Sequence, residues 1–261
     1  MIAALRRVLA APWLVLALAA THLAVAAAVA APVRLVVGAS MGPYFHDEPR
    51  RLLAPLFELL SLQRGAGAAV VAAVAAAAAL AALLGPLLAG AAIQRLGGLD
   101  RSARPTALEV VRAAVRFYPS ALVIAIYGLV LRVVLLLVAS ALGSIHPTVQ
   151  LGLSVLVLAH ATASVDLARS RVVLAGARPF HPRTLLRAAA TVAQEPRLLF
   201  GSAALSLLAL AVSAAIVLVS VHGLATAWAP WAARGLAVLG TFVAVWRLAV
   251  AVQYAGDREP P

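Results

Sequence analysis

The sequence predicts an all-α fold: a polytopic membrane bundle of six transmembrane helices, forming a single transmembrane domain over residues 1–261. Three observations predict it. Of 261 residues, 64% are hydrophobic and 11% are charged, whereas a soluble domain is about half apolar and about a quarter charged. A chain this apolar cannot cover itself with polar surface, so part of its solvent is lipid. Six segments hold the roughly 20 mainly apolar residues that a bilayer crossing requires, and Arg collects in alternate connections between them.

The spans are expected at about 9–31, 66–93, 119–142, 149–170, 198–221 and 231–254. The second is Ala-rich and longer than a crossing needs, so tilt or a bend at Gly85-Pro86 is expected. Its small side chains allow close approach of neighbouring helices. The outer loop, 32–65, carries a predicted helix Arg50–Leu62 that starts after Asp47-Glu48-Pro49. Proline suits a helix start and acids suit its positive end. Leu52, Leu53, Leu56, Phe57, Leu59 and Leu60 give this helix an apolar face for the outer leaflet or the top of the bundle.

Arg placement orients the chain. All 21 basic residues are Arg. Arg6 and Arg7 precede the first span; Arg95, Arg101, Arg104, Arg112 and Arg116 follow the second; Arg169, Arg171, Arg178, Arg183, Arg187 and Arg197 follow the fourth. The opposite side has Arg34, Arg50, Arg51 and Arg64 in one long loop and none in 143–148 or 222–230. The Arg-rich side belongs in the cytoplasm, with both termini. The net charge of +12 is therefore read as loop charge that meets anionic headgroups, with no nucleic-acid partner. The expected location is the bacterial inner (plasma) membrane.

Arg6-Arg7, an apolar stretch and Ala28-Val29-Ala30 resemble a cleavable signal peptide. The apolar run, of about 20 residues, exceeds the roughly 7–15 of a signal core, and the segment resembles later ones. Pro105 and Pro119 recur as Pro182 and Pro196, both at an offset of 77. In the same register Arg101 matches Arg178, Leu108 matches Leu185, Val115 matches Val192 and Leu122 matches Leu199. The N-terminus, Leu5 to Pro12, reads as a shortened copy. The predicted unit is a short in-plane cytoplasmic helix, a proline, then a hairpin of two spans, used three times. Thr106 and Glu109 form a predicted capping box. Glu109, Arg112 and Arg116 share one helical face and Leu108, Val111 and Val115 another, as in a helix lying in the headgroup plane. Pro119 disfavours helical geometry at Tyr118, which lets the chain turn into the bilayer. The alternative is that each such helix is the cytoplasmic extension of its span.

In layout the chain resembles six-helix bacterial membrane proteins, including the membrane domain of some glycerophosphodiester phosphodiesterases. The stretch Arg104 to Leu122, and Asp166 through Arg169 and Leu185 to Leu199, carry the likeness. The soluble phosphodiesterase domain has no counterpart in these residues, so the resemblance implies no activity.

Motif chemistry is sparse. The sequence has no Cys, no Walker motif, no HExxH and no GxSxG. His46, Asp47, Glu48, His146 and His222 fall on the predicted outer face and are candidate metal ligands; the competing reading makes Asp47 and Glu48 helix-start residues. No cofactor is expected. Within the spans lie His22, Arg132, His160, Asp166 and Arg247, and intramembrane charge is a functional hypothesis by default. For His22 and His160 the favoured reading is an interior, hydrogen-bonded histidine. Asp166 and Arg247 sit about 17 and 16 residues into parallel spans, at similar depth for a rise of about 1.5 Å per residue. They are expected to pair, with Arg169 as the competing partner that snorkels instead. Arg132 lies about midway along its span and is expected to face the bundle, near His160, Tyr127, backbone carbonyls, water or an anion.

The functional expectation is a non-enzymatic membrane component of an envelope complex. The alternatives are a transporter or lipid- or small-solute-handling protein with an Arg-lined cavity, and a membrane enzyme with an outer-face metal site. Membrane lipids are the expected partners; the residues name no protein partner.

Overall fold

The computed structural model describes residues 1–41, 64–98, 106–142, 147–175, 182–222 and 228–256. Among these every regular element is an α-helix: α1 (Ile2–Leu9), α2 (Pro12–Met41), α3 (Arg64–Gly97), α4 (Ala107–Leu142), α5 (Pro147–Ala175), α6 (Pro182–Gln194), α7 (Pro196–His222) and α8 (Ala229–Gly256). Five of them, α3, α4, α5, α7 and α8, contain stretches long and apolar enough to cross a membrane, and the bent pair α1–α2 makes a sixth. The chain is an all-α, multi-pass bundle.

The helices run longer than the sequence suggests. The expected outer loop from residue 32 starts later, because α2 continues to Met41. Ala, Val and Leu favour or tolerate helix through this stretch, and in an apolar solvent a helix is the one local structure that satisfies every backbone group by itself. The same pressure keeps α3 helical through Pro86 and α4 through Pro119. The helix Arg50–Leu62 falls outside the described residues.

The predicted repeat has a different form in each copy. The first breaks after Leu9, and α1 meets α2 at 76°. The third breaks at Glu195, where Leu198 N–H and Leu199 N–H both donate to the Glu195 carbonyl. The middle copy has no break: α4 is continuous from Ala107, so here the extension of a span is observed rather than a turn at Pro119. The consequence shows in matched positions. Leu185, Ala188 and Val192 of α6 are buried, while Leu108, Val111 and Val115 are 57–59% exposed. A separate helix can fold its apolar face onto the bundle, whereas a coaxial extension carries that face outward. The capping box at the start of α4 does form: Thr106 N–H donates to Glu109 Oε2 at 2.7 Å and Glu109 N–H to Thr106 Oγ1 at 3.3 Å.

The described helices fall into two compact units. One comprises Met1–Val15, Leu83–Leu210 and Phe242–Pro261, and α5 is its centre. Ala159, Ala161, Ala163, Ser164, Val165, Leu167, Ala168, Ser170, Val172 and Val173 are all buried. Most are small, so neighbouring backbones can approach closely. α4 and α6 pack on this helix. Arg171 Nη2 donates to Thr191 Oγ1 at 3.2 Å, tying α6 to α5. Gly128 marks a close α4–α5 approach, since a Cβ there would collide with Val165. The other unit comprises Leu16–Ala82 and Ala211–Thr241. In it Val212 of α7 packs 3.5 Å from where a Gly240 Cβ would stand, and Arg234 stacks over Trp231 at 4.9 Å.

Candidate functional site

Thr162, Asp166 and Arg169 are spaced by four and three residues, which places them on one face of α5. Two neighbouring helices reach toward that face. From α8, Arg247 Nε donates to Asp166 Oδ2 at 2.8 Å, with 24% of the Arg247 side chain and 7% of the Asp166 side chain exposed. This is the expected pairing. From α4, Arg132 Nη2 donates to Thr162 Oγ1 at 3.4 Å, a long bond. Arg132 thus faces α5 and not away from the bundle, but its hydrogen-bond partner is Thr162, not His160 or Tyr127. The Gly128 contact lies one turn earlier on α4 and lets the two helices come close enough for this reach.

Arg169 departs from expectation. It does not snorkel clear of the protein: its Nε is buried and, among the described residues, has no hydrogen-bond partner. It lies within electrostatic range of Asp166, Arg132 and Arg247. The site therefore brings three guanidinium groups to one carboxylate, and that carboxylate is bonded to Arg247. Hydroxyls hold the helix backbone around them. Ser164 Oγ donates to the His160 carbonyl at 2.7 Å and Ser170 Oγ to the Asp166 carbonyl at 2.8 Å.

His160 is half-buried, and His22 is exposed on α2, so the interior reading does not hold for His22: it occupies an outward position of its helix. Of the outer-face metal candidates, His46, Asp47, Glu48 and His146 lie outside the described residues, and so does the side chain of His222, which ends α7. Among the described residues no three His, Cys, Asp or Glu converge as metal ligands. A cavity of about 770 Å³ is lined by Met1, Arg197, Phe200, Gly201, Val250, Gln253 and Tyr254, with Arg197 its one basic side chain.

Thr162 is the site residue that sequence reasoning passed over, and Arg169, expected only as a competing partner, contributes a buried Nε. Helical periodicity around Asp166 was the available signal, since positions four before and three after it share its face. No protein-family model matches the chain, and neither a curated protein nor a solved structure matches it.

Proposed function

We propose that the chain is a non-enzymatic, multi-pass component of an envelope complex in the bacterial inner membrane, with both termini in the cytoplasm. The observation that carries this reading is how the bundle's polar groups are used. Asp166 bonds Arg247, Arg132 bonds Thr162, and Ser164, Ser170 and Thr241 bond backbone carbonyls. The first two contacts tie α5 to α8 and to α4, as suits a scaffold, and the three hydroxyls are satisfied within their own helices, each bonding the carbonyl four residues earlier. Exposed Trp side chains support the placement of the span ends. Trp13 stands at the start of α2, and Trp228 and Trp231 at the start of α8. In the proposed topology these are opposite interfaces, where amphipathic rings are favoured.

The outer face of α4 offers a test. Leu129, Val133 and Leu137, four residues apart, are 60%, 49% and 66% exposed. Photo-crosslinking residues placed at these positions, with the protein at native expression level, should give a discrete adduct with a different polypeptide. Only lipid adducts, together with a 26.7 kDa monomer in lipid-preserving extracts, would overturn the reading.

A second reading, handling of lipid or a small anionic solute, is favoured by one specific observation: the surplus of guanidinium over carboxylate around Asp166.

A further inference from the structure

We propose that the α5 face formed by Thr162, Asp166 and Arg169, with Arg132 and Arg247, is a binding site for a phosphate-bearing anion. The argument starts from charge. Three Arg meet one Asp among apolar helices, which leaves two positive charges in excess. Unpaired charge at membrane depth is costly and is found where a partner or a water-filled path compensates it. Asp166 compensates Arg247. Arg132 has one long bond to a neutral hydroxyl. Arg169 has a buried Nε with no protein partner among the described residues, so a donor remains inside the bundle with nothing to receive its hydrogen.

Geometry agrees with charge. Thr162 to Arg169 is seven residues, about 10 Å along the helix at about 1.5 Å per residue. In the proposed topology Arg169 lies at the cytoplasmic end and Arg132 near mid-span. The guanidinium groups would then lie between mid-span and the cytoplasmic end of this α5 face, within reach of an anion in the cytoplasmic leaflet. Planar guanidinium forks match phosphate oxygens in pairs, and several of them around one anion divide its charge. A phosphate oxygen can also accept a hydrogen bond from the Thr162 hydroxyl. A carboxylate-bearing anion would engage one fork, whereas three Arg suit a group with three or more charged or polar oxygens. The phosphate has two possible sources, the headgroup of an anionic phospholipid or free inorganic phosphate. The site does not depend on membership of an envelope complex, so the crosslinking experiment and the one below fail separately.

The test uses the full chain. In detergent its unfolding temperature is followed against inorganic phosphate, with chloride at equal ionic strength as reference. In nanodiscs it is compared in phosphatidylglycerol and phosphatidylcholine. A saturable rise with at least one probe is expected; phosphatidylglycerol alone identifies a headgroup, and a response to both identifies the phosphate group itself. Arg169→Gln and Arg132→Gln should each weaken the response by about thirty-fold or more, the usual effect of truncating one partner of a buried charge pair. Arg183→Gln, exposed in the first turn of α6, should respond as the parent does. No response to either probe, or equal weakening in Arg183→Gln, overturns the proposal. If the Gln variants do not fold, Arg169→Lys keeps the charge but loses the fork. Weakened affinity in that variant supports the site, and unchanged affinity overturns it.

Discussion

Asp166→Asn should be the most damaging single charge change in the bundle, and worse than removing its partner. At 2.8 Å and an effective dielectric of about 20, the Asp166–Arg247 attraction is about 6 kcal/mol before desolvation. Desolvation of each ion offsets several kcal/mol of this, so the pair's net worth is small, but leaving one ion unpaired costs about 3–5 kcal/mol. Arg247 is 24% exposed and keeps some access to solvent or headgroups, which places Asp166→Asn near the lower end, about 3 kcal/mol. That is roughly a hundred-fold in the folding equilibrium. Arg247→Gln should cost less, about 1–2 kcal/mol, because Arg169 lies three residues along the same face and can turn to the orphaned carboxylate. In the Asp166→Asn variant no second acid among the described residues stands in: the three guanidinium groups then face one another. The double variant Arg169→Gln with Arg247→Gln should restore the larger cost. Equilibrium unfolding in mixed micles of increasing SDS content, followed by Trp fluorescence, measures all four proteins. An Asp166→Asn variant within about 0.5 kcal/mol of the parent, the ordinary range for a neutral surface change, would refute the reasoning. So would an Arg247→Gln variant less stable than Asp166→Asn.

Reporter fusions after Arg64, Ser144 and Gly223 should read outside, and those after Arg104 and Arg183 inside; an inside signal at Arg64 or Gly223 would reverse the topology. Gly128→Leu should lower stability by about 1–3 kcal/mol through overpacking against Val165, read as an earlier midpoint in the same SDS titration. Thr106→Ala should remove the capping box and cost about 1 kcal/mol, seen as faster amide exchange confined to the first turn of α4, while the global midpoint moves little. Intact-protein mass should include Ala28 to Ala31, because α2 runs unbroken through that stretch; a mature chain starting near Ala31 would make the first segment a cleaved signal.

Much of the fold was legible in the sequence because lipid leaves the backbone little choice. A long apolar segment in hydrocarbon must be helical, so the five spans, with the bent α1–α2 pair as a sixth, followed from counting apolar stretches. The Asp166–Arg247 pair was legible for a related reason. Two opposite charges at equal depth on helices that run the same way are each other's cheapest remedy. Breaks were less legible. Pro119 and Pro196 stand in equivalent sequence positions, yet α4 passes through the first and α6 stops before the second. Local preference at a proline is worth only a few kcal/mol, and the packing of the preceding turn decides whether the helix continues. The α6 residues Leu185, Ala188 and Val192 have a surface to bury against, and Leu108, Val111 and Val115 do not.

By itself, then, the sequence determined the apolar character of the spans, the helical class and the capping box, all of which depend on composition or on neighbours along the chain. The tertiary structure alone decided which faces meet. It turned Arg132 to Thr162, buried the Arg169 Nε without a partner and set Gly128 against Val165. Those outcomes depend on the rotation of α4 and α8 about their axes relative to α5, and a helix that is apolar nearly all round carries almost no sequence signal for that rotation.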